Sequence, residues 1–259
     1  NNAGIASLAG LQYASNLSNL DLSNNQISDL TPLQHLSKLT KLYLDKNQIT
    51  DITPLRDLSN LSSLALNGNH VSDLTPLRDL SNLSFLALGE NQVSDLTPLQ
   101  HLSNLSWLHL GQNQISDVTP LKDLSNLSFL GLGYNQITDI TPLRDLSNLS
   151  QLYLMFNHIS DLTPLQNLNL TQFSASDQTI TLPTIYVLNK QPYSASVQTA
   201  IKNLNGTTPT ISPQNNDTWT GVYNSGKVEW SSANQVPETG DLVLIFILAG
   251  SSRQYKPFL

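Results

Sequence analysis

The sequence predicts a mainly β protein: a solenoid of parallel strands joined by short 3₁₀ or helical turns, followed by a small β-sandwich. Three observations carry that prediction. Asn25, Asn47, Asn69, Asn91, Asn113, Asn135 and Asn157 fall at an unbroken spacing of 22 residues. Each closes the phrase L-x-x-L-x-L-x-x-N, from Leu17, Leu20, Leu22 and Asn25 to Leu149, Leu152, Leu154 and Asn157. This is the signature of a leucine-rich repeat solenoid. After Gln178 the period stops and short alternating stretches take over. The expected domains are therefore residues 1–178, with seven full coils and partial end coils, and residues 179–259.

Within one coil, Leu86 and Leu88 alternate with Phe85, Ala87 and Gly89, and a period of two marks a strand with two unlike faces. The leucines point inward and Phe85, Ala87 and Gly89 point out. Asn91 then turns the chain, its buried amide offering both donors and acceptors to unpaired backbone groups. Val93, Leu96, Leu99 and Leu102 line the rest of the inner wall. Thr97-Pro98-Leu99 recurs in every coil; Thr is expected as an N-cap and Pro at the first helical position of a convex turn.

The array extends beyond the full copies. Ile5, Leu8, Leu11 and Leu17 match Ile27, Leu30, Leu33 and Leu39 at the same offset, so the chain begins on the convex half of a coil. No polar cap covers that end, and a missing N-terminal piece is expected. Residues 170–178 read as an eighth strand, one residue out of step, with Gln178 in place of Asn. Further strands are expected at Ile180–Leu182, Tyr186–Leu188, Thr218–Tyr223, Lys227–Trp230 and Asp241–Leu248, a spacing that suits a small sandwich. No Gly/Ser- or Pro-rich linker marks the join, so the two parts are expected to move together.

Composition narrows the function. The net charge of −7 disfavours nucleic acid and anionic membrane surfaces as partners, since both favour basic faces. Cysteine is absent, which excludes disulfides and thiol chemistry. No cationic leader followed by an apolar run opens the chain.

The outward columns of the strands vary from copy to copy. The third position of the phrase runs Asn19, Lys41, Ser63, Phe85, Trp107, Phe129, Gln151; the fifth runs Asp21, Tyr43, Ala65, Ala87, His109, Gly131, Tyr153. The seventh runs Ser23, Asp45, Asn67, Gly89, Gly111, Gly133, Met155; the eighth runs Asn24, Lys46, Gly68, Glu90, Gln112, Tyr134, Phe156. Seven of the nine aromatics in residues 1–178 fall in these columns, far more than chance placement would put there. Phe85, Trp107 and Phe129 are expected to form a ridge beside a shallow trough floored by Ala87, Gly89, Gly111, Gly131 and Gly133. Large aromatics anchor protein interfaces, and exposed apolar patches mark binding sites. The predicted contact residues are Tyr43, Phe85, Glu90, Trp107, His109, Phe129, Tyr134, Tyr153, Met155 and Phe156. The competing reading is that cross-strand aromatic pairs merely stabilise the sheet. It does not explain why the first three coils carry Asp21, Lys41, Asp45 and Lys46 instead.

Other patterns have plainer readings. Asp29, Asp51, Asp73, Asp95, Asp117, Asp139 and Asp161 suggest backbone capping rather than calcium. N-L-S at Asn16, Asn60, Asn82, Asn104, Asn126 and Asn148 matches a glycosylation sequon as a by-product of the repeat. His70 and His158 are expected to be exposed; His109 lies beside Trp107 with no acid, Ser or Cys motif to suggest catalysis. Val236-Pro-Glu-Thr-Gly240 with its apolar run resembles a sortase signal, but the run is too short to span a bilayer and fits a strand better. No metal, cofactor or membrane insertion is expected.

The phrase Asn25-Gln-Ile-Ser-Asp-Leu-Thr-Pro-Leu33, and its copy Asn135-Gln-Ile-Thr-Asp-Ile-Thr-Pro-Leu143, resembles the internalin family of Gram-positive bacteria, typified by Listeria. Residues 173–183 resemble that family's passage into an immunoglobulin-like domain, and Gly226-Lys-Val-Glu-Trp230 its Trp-bearing strand. The resemblance implies an Ig-like sandwich over 179–259, stopping before or within its last strand, and a helical N-terminal cap that is absent here. It also implies a monomeric secreted or cell-wall surface protein, its signal peptide and anchor outside this chain. Such a protein would bind a host cell-surface receptor without catalysis and act as an adhesin or invasin in virulence. Two alternatives stand beside it: an engineered or structural repeat scaffold with no ligand, and a carbohydrate-binding or carbohydrate-cleaving protein using the trough.

Overall fold

The computed structural model describes residues 3–181 and the segments 193–198, 210–213, 220–224, 227–232 and 243–247. Eight three-residue strands form one parallel sheet in chain order: β1 (Asn19–Asp21), β2 (Lys41–Tyr43), β3 (Ser63–Ala65), β4 (Phe85–Ala87), β5 (Trp107–His109), β6 (Phe129–Gly131), β7 (Gln151–Tyr153) and β8 (Gln172–Ser174). Neighbours pair 22 residues apart, as in Asn19 with Lys41, until Gln151 pairs with Gln172 at 21. The opposite wall is a row of 3₁₀ turns running from Thr31–Leu33 to Thr163–Leu165, one per coil. No α-helix occurs among the described residues.

Leu and Ile from every coil form one continuous core; Leu42, Leu44, Ile49, Leu55, Leu58 and Leu61 are fully buried, and so are their counterparts up to Leu165. Burying each such side chain contributes roughly 1.5–3 kcal/mol. At the first coil, Ile5, Leu11, Leu17 and Leu20 are only partly buried, because nothing among the described residues stacks on that side.

A short coil must also pair its backbone, and three side-chain ladders do so. The Asn ladder behaves as its chemistry predicts. The Asn135 amide nitrogen donates to Leu132 O at 3.0 Å in its own coil and Leu110 O at 2.9 Å in the preceding one. Its carbonyl oxygen accepts from Ile115 N–H at 3.0 Å. At the short last coil, Gln178 makes the same set, with Leu154 O at 2.8 Å and Ile159 N–H at 3.0 Å. The extra methylene makes up for the missing residue. Hydroxyls form a second ladder, as in Ser84 donating to Ser62 O and Ser106 to Ser84 O, both at 3.1 Å. The Asn of N-L-S forms a third: Asn82, Asn104, Asn126 and Asn148 each donate to the Ser carbonyl 23 residues earlier at 2.8 Å. These Asn amides are thus committed to the scaffold.

The turns are capped by the Asp column, as its spacing suggests, and not by Thr. Thr is the first 3₁₀ residue rather than the N-cap, the cap position is the preceding Leu, Ile or Val, and no cap side chain bonds there. The capping group is the Asp two residues before Thr. Asp29 Oδ1 accepts from Thr31 N–H at 2.8 Å, and Asp51, Asp73, Asp95, Asp117, Asp139 and Asp161 repeat the bond at the same length.

Six further strands follow: β9 (Gln178–Thr181), β10 (Tyr193–Gln198), β11 (Thr210–Pro213), β12 (Thr220–Asn224), β13 (Lys227–Ser232) and β14 (Val243–Ile247). They form two antiparallel sheets, ordered β10-β13-β12 and β11-β14-β9. The apolar run after Gly240 is the central strand of the second sheet, as the strand reading expects. β10 and β11 escaped the sequence reading, although Tyr193, Ala195 and Val197 alternate with polar residues. The strand expected at 186–188 lies outside the described residues.

Candidate functional site on the strand face

The outward residues of adjacent strands lie in register, so matching rings must meet. Phe85 pairs with Trp107 and Trp107 with Phe129. The rings stack with centroids 4.2 and 4.5 Å apart and planes within 12° and 9°. Tyr153 continues the row, tilted 45° at 5.6 Å from Phe129, and its hydroxyl donates to Gln172 Oε1. Tyr134 and Phe156 form a second stack at 4.2 Å and 16°. Tyr43, on β2, joins neither row; Ser63 and Ala65 on β3 separate it from β4.

The second stack stands on unusual backbone. The eighth position of the phrase is left-handed in every coil, with φ of +53 to +59° at Asn24, Lys46, Glu90, Gln112, Tyr134 and Phe156, and +64° at Gly68. The chain therefore turns at the residue before each ladder Asn. Asn and Gly tolerate that conformation; for bulky residues it is strained. Tyr134 and Phe156 are nonetheless aromatic there, and they are among the most exposed large apolar side chains of the described residues, at 49% and 42%.

The expected trough is not open. The His109 ring lies across its floor: a Cβ at Gly89 would fall 2.4 Å from His109 Cε1, and one at Gly131 would fall 2.7 Å from Cδ2. Met155 covers Gly133 in the same way, with Sδ 2.6 Å from where a Cβ would sit. Ala87, Met155 and Phe129 are buried, so Met155 and Phe129, expected to be contact residues, pack against their neighbours instead. The missing side chains of the glycine columns make room for neighbouring side chains, which the sequence reading took for empty space.

A polar network joins this region to the first coils. Asp45 Oδ1 accepts from both the Asn67 backbone N–H and its amide nitrogen, each at 2.8 Å. Asn67 Oδ1 accepts from Gly89 N–H at 2.7 Å and lies 3.3 Å from His109 Nδ1. Burial lifts the Asp45 carboxyl above its usual range, outweighing the Asn67 hydrogen bonds, and nearby Asp21 adds to the rise. Burial lowers the His109 imidazole, with Glu90 opposing weakly, so the ring is neutral at neutral pH. Asn67 was missed by sequence reasoning because no aromatic or repeated pattern marks it. Among the described residues, no group of three or more His, Cys, Asp or Glu is arranged to hold a metal ion. No helix there is long and apolar enough to cross a membrane.

A family model described as "Leucine Rich repeats (2 copies)" matches residues 15–57, 103–145 and 125–167. The solved structure of internalin C2 from Listeria monocytogenes is 44% identical, with a TM-score of 0.64, covering 65% of this chain and 75% of that one. The chain belongs to the internalin family. Internalin F from Listeria monocytogenes is 38% identical at a TM-score of 0.59; this internalin aligns over 68% of its own length and 58% of that chain. The functional domain of InlJ from the same organism shares the fold at 20% identity and a TM-score of 0.58, over 88% of this chain and 58% of that one. That domain includes a cysteine ladder, whereas this internalin has no cysteine and stacks Asn. No curated protein sequence matches the chain.

Proposed function

We propose that this internalin is a non-catalytic adhesin that binds a host cell-surface receptor through the aromatic half of its strand face. It acts as a monomer, secreted or held at the bacterial surface, with residues 179–259 as an Ig-like unit that follows the repeats in sequence. The observation that carries this reading is the pair Tyr134 and Phe156, both exposed, stacked on each other and held in left-handed backbone. Every coil is left-handed at this position, but only these two place bulky aromatics there, where Asn or Gly would avoid the strain, and strain kept in this way is characteristic of functional sites. Phe85, Trp107 and Tyr153 extend the apolar surface, with Glu90 and His109 as polar contacts, while Phe129 and Met155, both buried, support it rather than face a partner. Tyr43 marks its far border. Solenoids use such faces as extended binding surfaces.

The ridge is tested by Trp107→Ala with Phe129→Ala, titrated as labelled protein onto mammalian epithelial cells. Binding should fall at least tenfold, while circular dichroism shows the repeat fold retained. Unchanged binding by the folded variant would remove the ridge from the site.

A further inference from the structure

The amide of Asn67 has only one orientation that suits its neighbours. Its nitrogen faces the Asp45 carboxylate and its oxygen faces Gly89 N–H, at 2.8 and 2.7 Å. The atom 3.3 Å from His109 Nδ1 is therefore an amide oxygen, which only accepts. A neutral imidazole beside it carries its proton on Nδ1, leaving a bare lone pair on Nε2. Nε2 meets no hydrogen-bond donor among the described residues. The ring is also unable to swing toward β4 or β6 freely, lying as it does against Gly89 and Gly131.

We infer that His109 Nε2 is a fixed hydrogen-bond acceptor of the strand face, that Asp45 and Asn67 position it, and that the bound partner supplies a matching N–H or O–H donor between the aromatic rows. The inference rests on the proposed receptor-binding role of this face. It adds a chemical requirement that apolar anchors alone lack: a partner offering only apolar or acceptor groups here leaves Nε2 unpaired, the kind of mismatch that sites built around hydrogen bonds discriminate against.

It also makes recognition sensitive to acid. A second proton converts Nε2 from acceptor to donor and repels the partner's donor. The titratable groups on the strands packed around His109 are few. Glu90 follows β4 and favours the charged ring, though less than burial opposes it. Asp45 follows β2 and reaches His109 only through Asn67. Tyr153 on β7 is a phenol that burial raises above its ordinary value, so it stays neutral near pH 7; Tyr134 follows β6. The neutral acceptor is therefore the form present at neutral pH, and it is lost as pH falls below the ordinary histidine range.

Long-range ¹H–¹⁵N correlation spectra of the labelled full chain between pH 5 and 8 read the ring directly. We expect His109 to be Nδ1-protonated, with a titration midpoint below 6.5. Asn67→Ala should move the ring toward the Nε2–H form. An Nε2–H ring in the unsubstituted protein, or a midpoint at or above 6.5, overturns the assignment without touching the receptor-binding proposal. In cell-binding titrations, His109→Phe keeps an aromatic ring over the glycines and removes the acceptor. It should bind at least tenfold more weakly and lose the acid sensitivity of the unsubstituted chain. If His109→Phe binds as the unsubstituted chain does, while the Trp107/Phe129 variant does not, the acceptor role fails and the aromatic site stands.

Discussion

Asn135 shows how much one residue carries. It is nearly buried and holds together backbone groups of two coils. Asn135→Ala leaves the buried Ile115 N–H without a partner and takes one of two amide donors from Leu110 O and Leu132 O, which keep Asn113 and Asn157; it should destabilise the array by about 2 kcal/mol, read as a lower urea midpoint. This role was legible from spacing alone, because a buried amide at a fixed period has few other uses. Tyr134 was legible only in part. Its column placed it on the strand face, but its left-handed backbone was signalled only by Asn24 and Gly68, in two copies. Tyr134→Gly relieves backbone strain of about 1 kcal/mol and gives up a stacked pair of similar value. Thermal or urea unfolding should therefore change by less than about 1 kcal/mol, while receptor binding falls. A large loss of stability would show that the stack serves the fold.

At the scale of the element, the repeated T-P-L turn was correctly placed, and of the two caps read from sequence, Asp and Thr, Asp alone holds. Propensity alone favours Thr at an N-cap; in the structure the Asp two residues earlier takes the Thr N–H, and Pro follows as the second 3₁₀ residue. Hydrogen bonds from the Thr side chain, then its backbone, hold the carboxyls of Asp29, Asp51, Asp73, Asp117 and Asp139 below their usual 3.8. A folded pKa below the unfolded one means stability that is present above 3.8 and lost as pH falls through the depressed values. Urea midpoints should therefore drop as pH falls below about 4. Asp73→Asn keeps an acceptor for Thr75 N–H, so it should retain most of the neutral-pH stability and lessen that drop. His109, also lowered, adds a loss beginning below 6.5. Asp45 runs the other way: its raised pKa gives a contribution present below 3.8 and lost as pH rises through the folded value. The strand elements were legible wherever Leu alternated. The trough was misread because glycine columns look empty in sequence, and only coordinates show that His109 and Met155 lie over them.

Across the whole molecule, 22-residue periodicity determined the architecture from one end of the sheet to the other, and even the slip at Gln178 followed from a coil one residue short. What periodicity leaves free is the content of the outward columns, and there the first coils are polar while the later ones hold two stacked aromatic rows. In the function proposed here, these rows serve a partner. The most direct measurement is the affinity of Tyr134→Asn with Phe156→Asn for mammalian epithelial cells, since Asn tolerates left-handed backbone and neither ring belongs to the core. Removal of two exposed anchors should weaken binding about 100-fold or more with an unchanged unfolding curve. An equally stable variant that binds as tightly as the unsubstituted chain would show that these rings serve no partner.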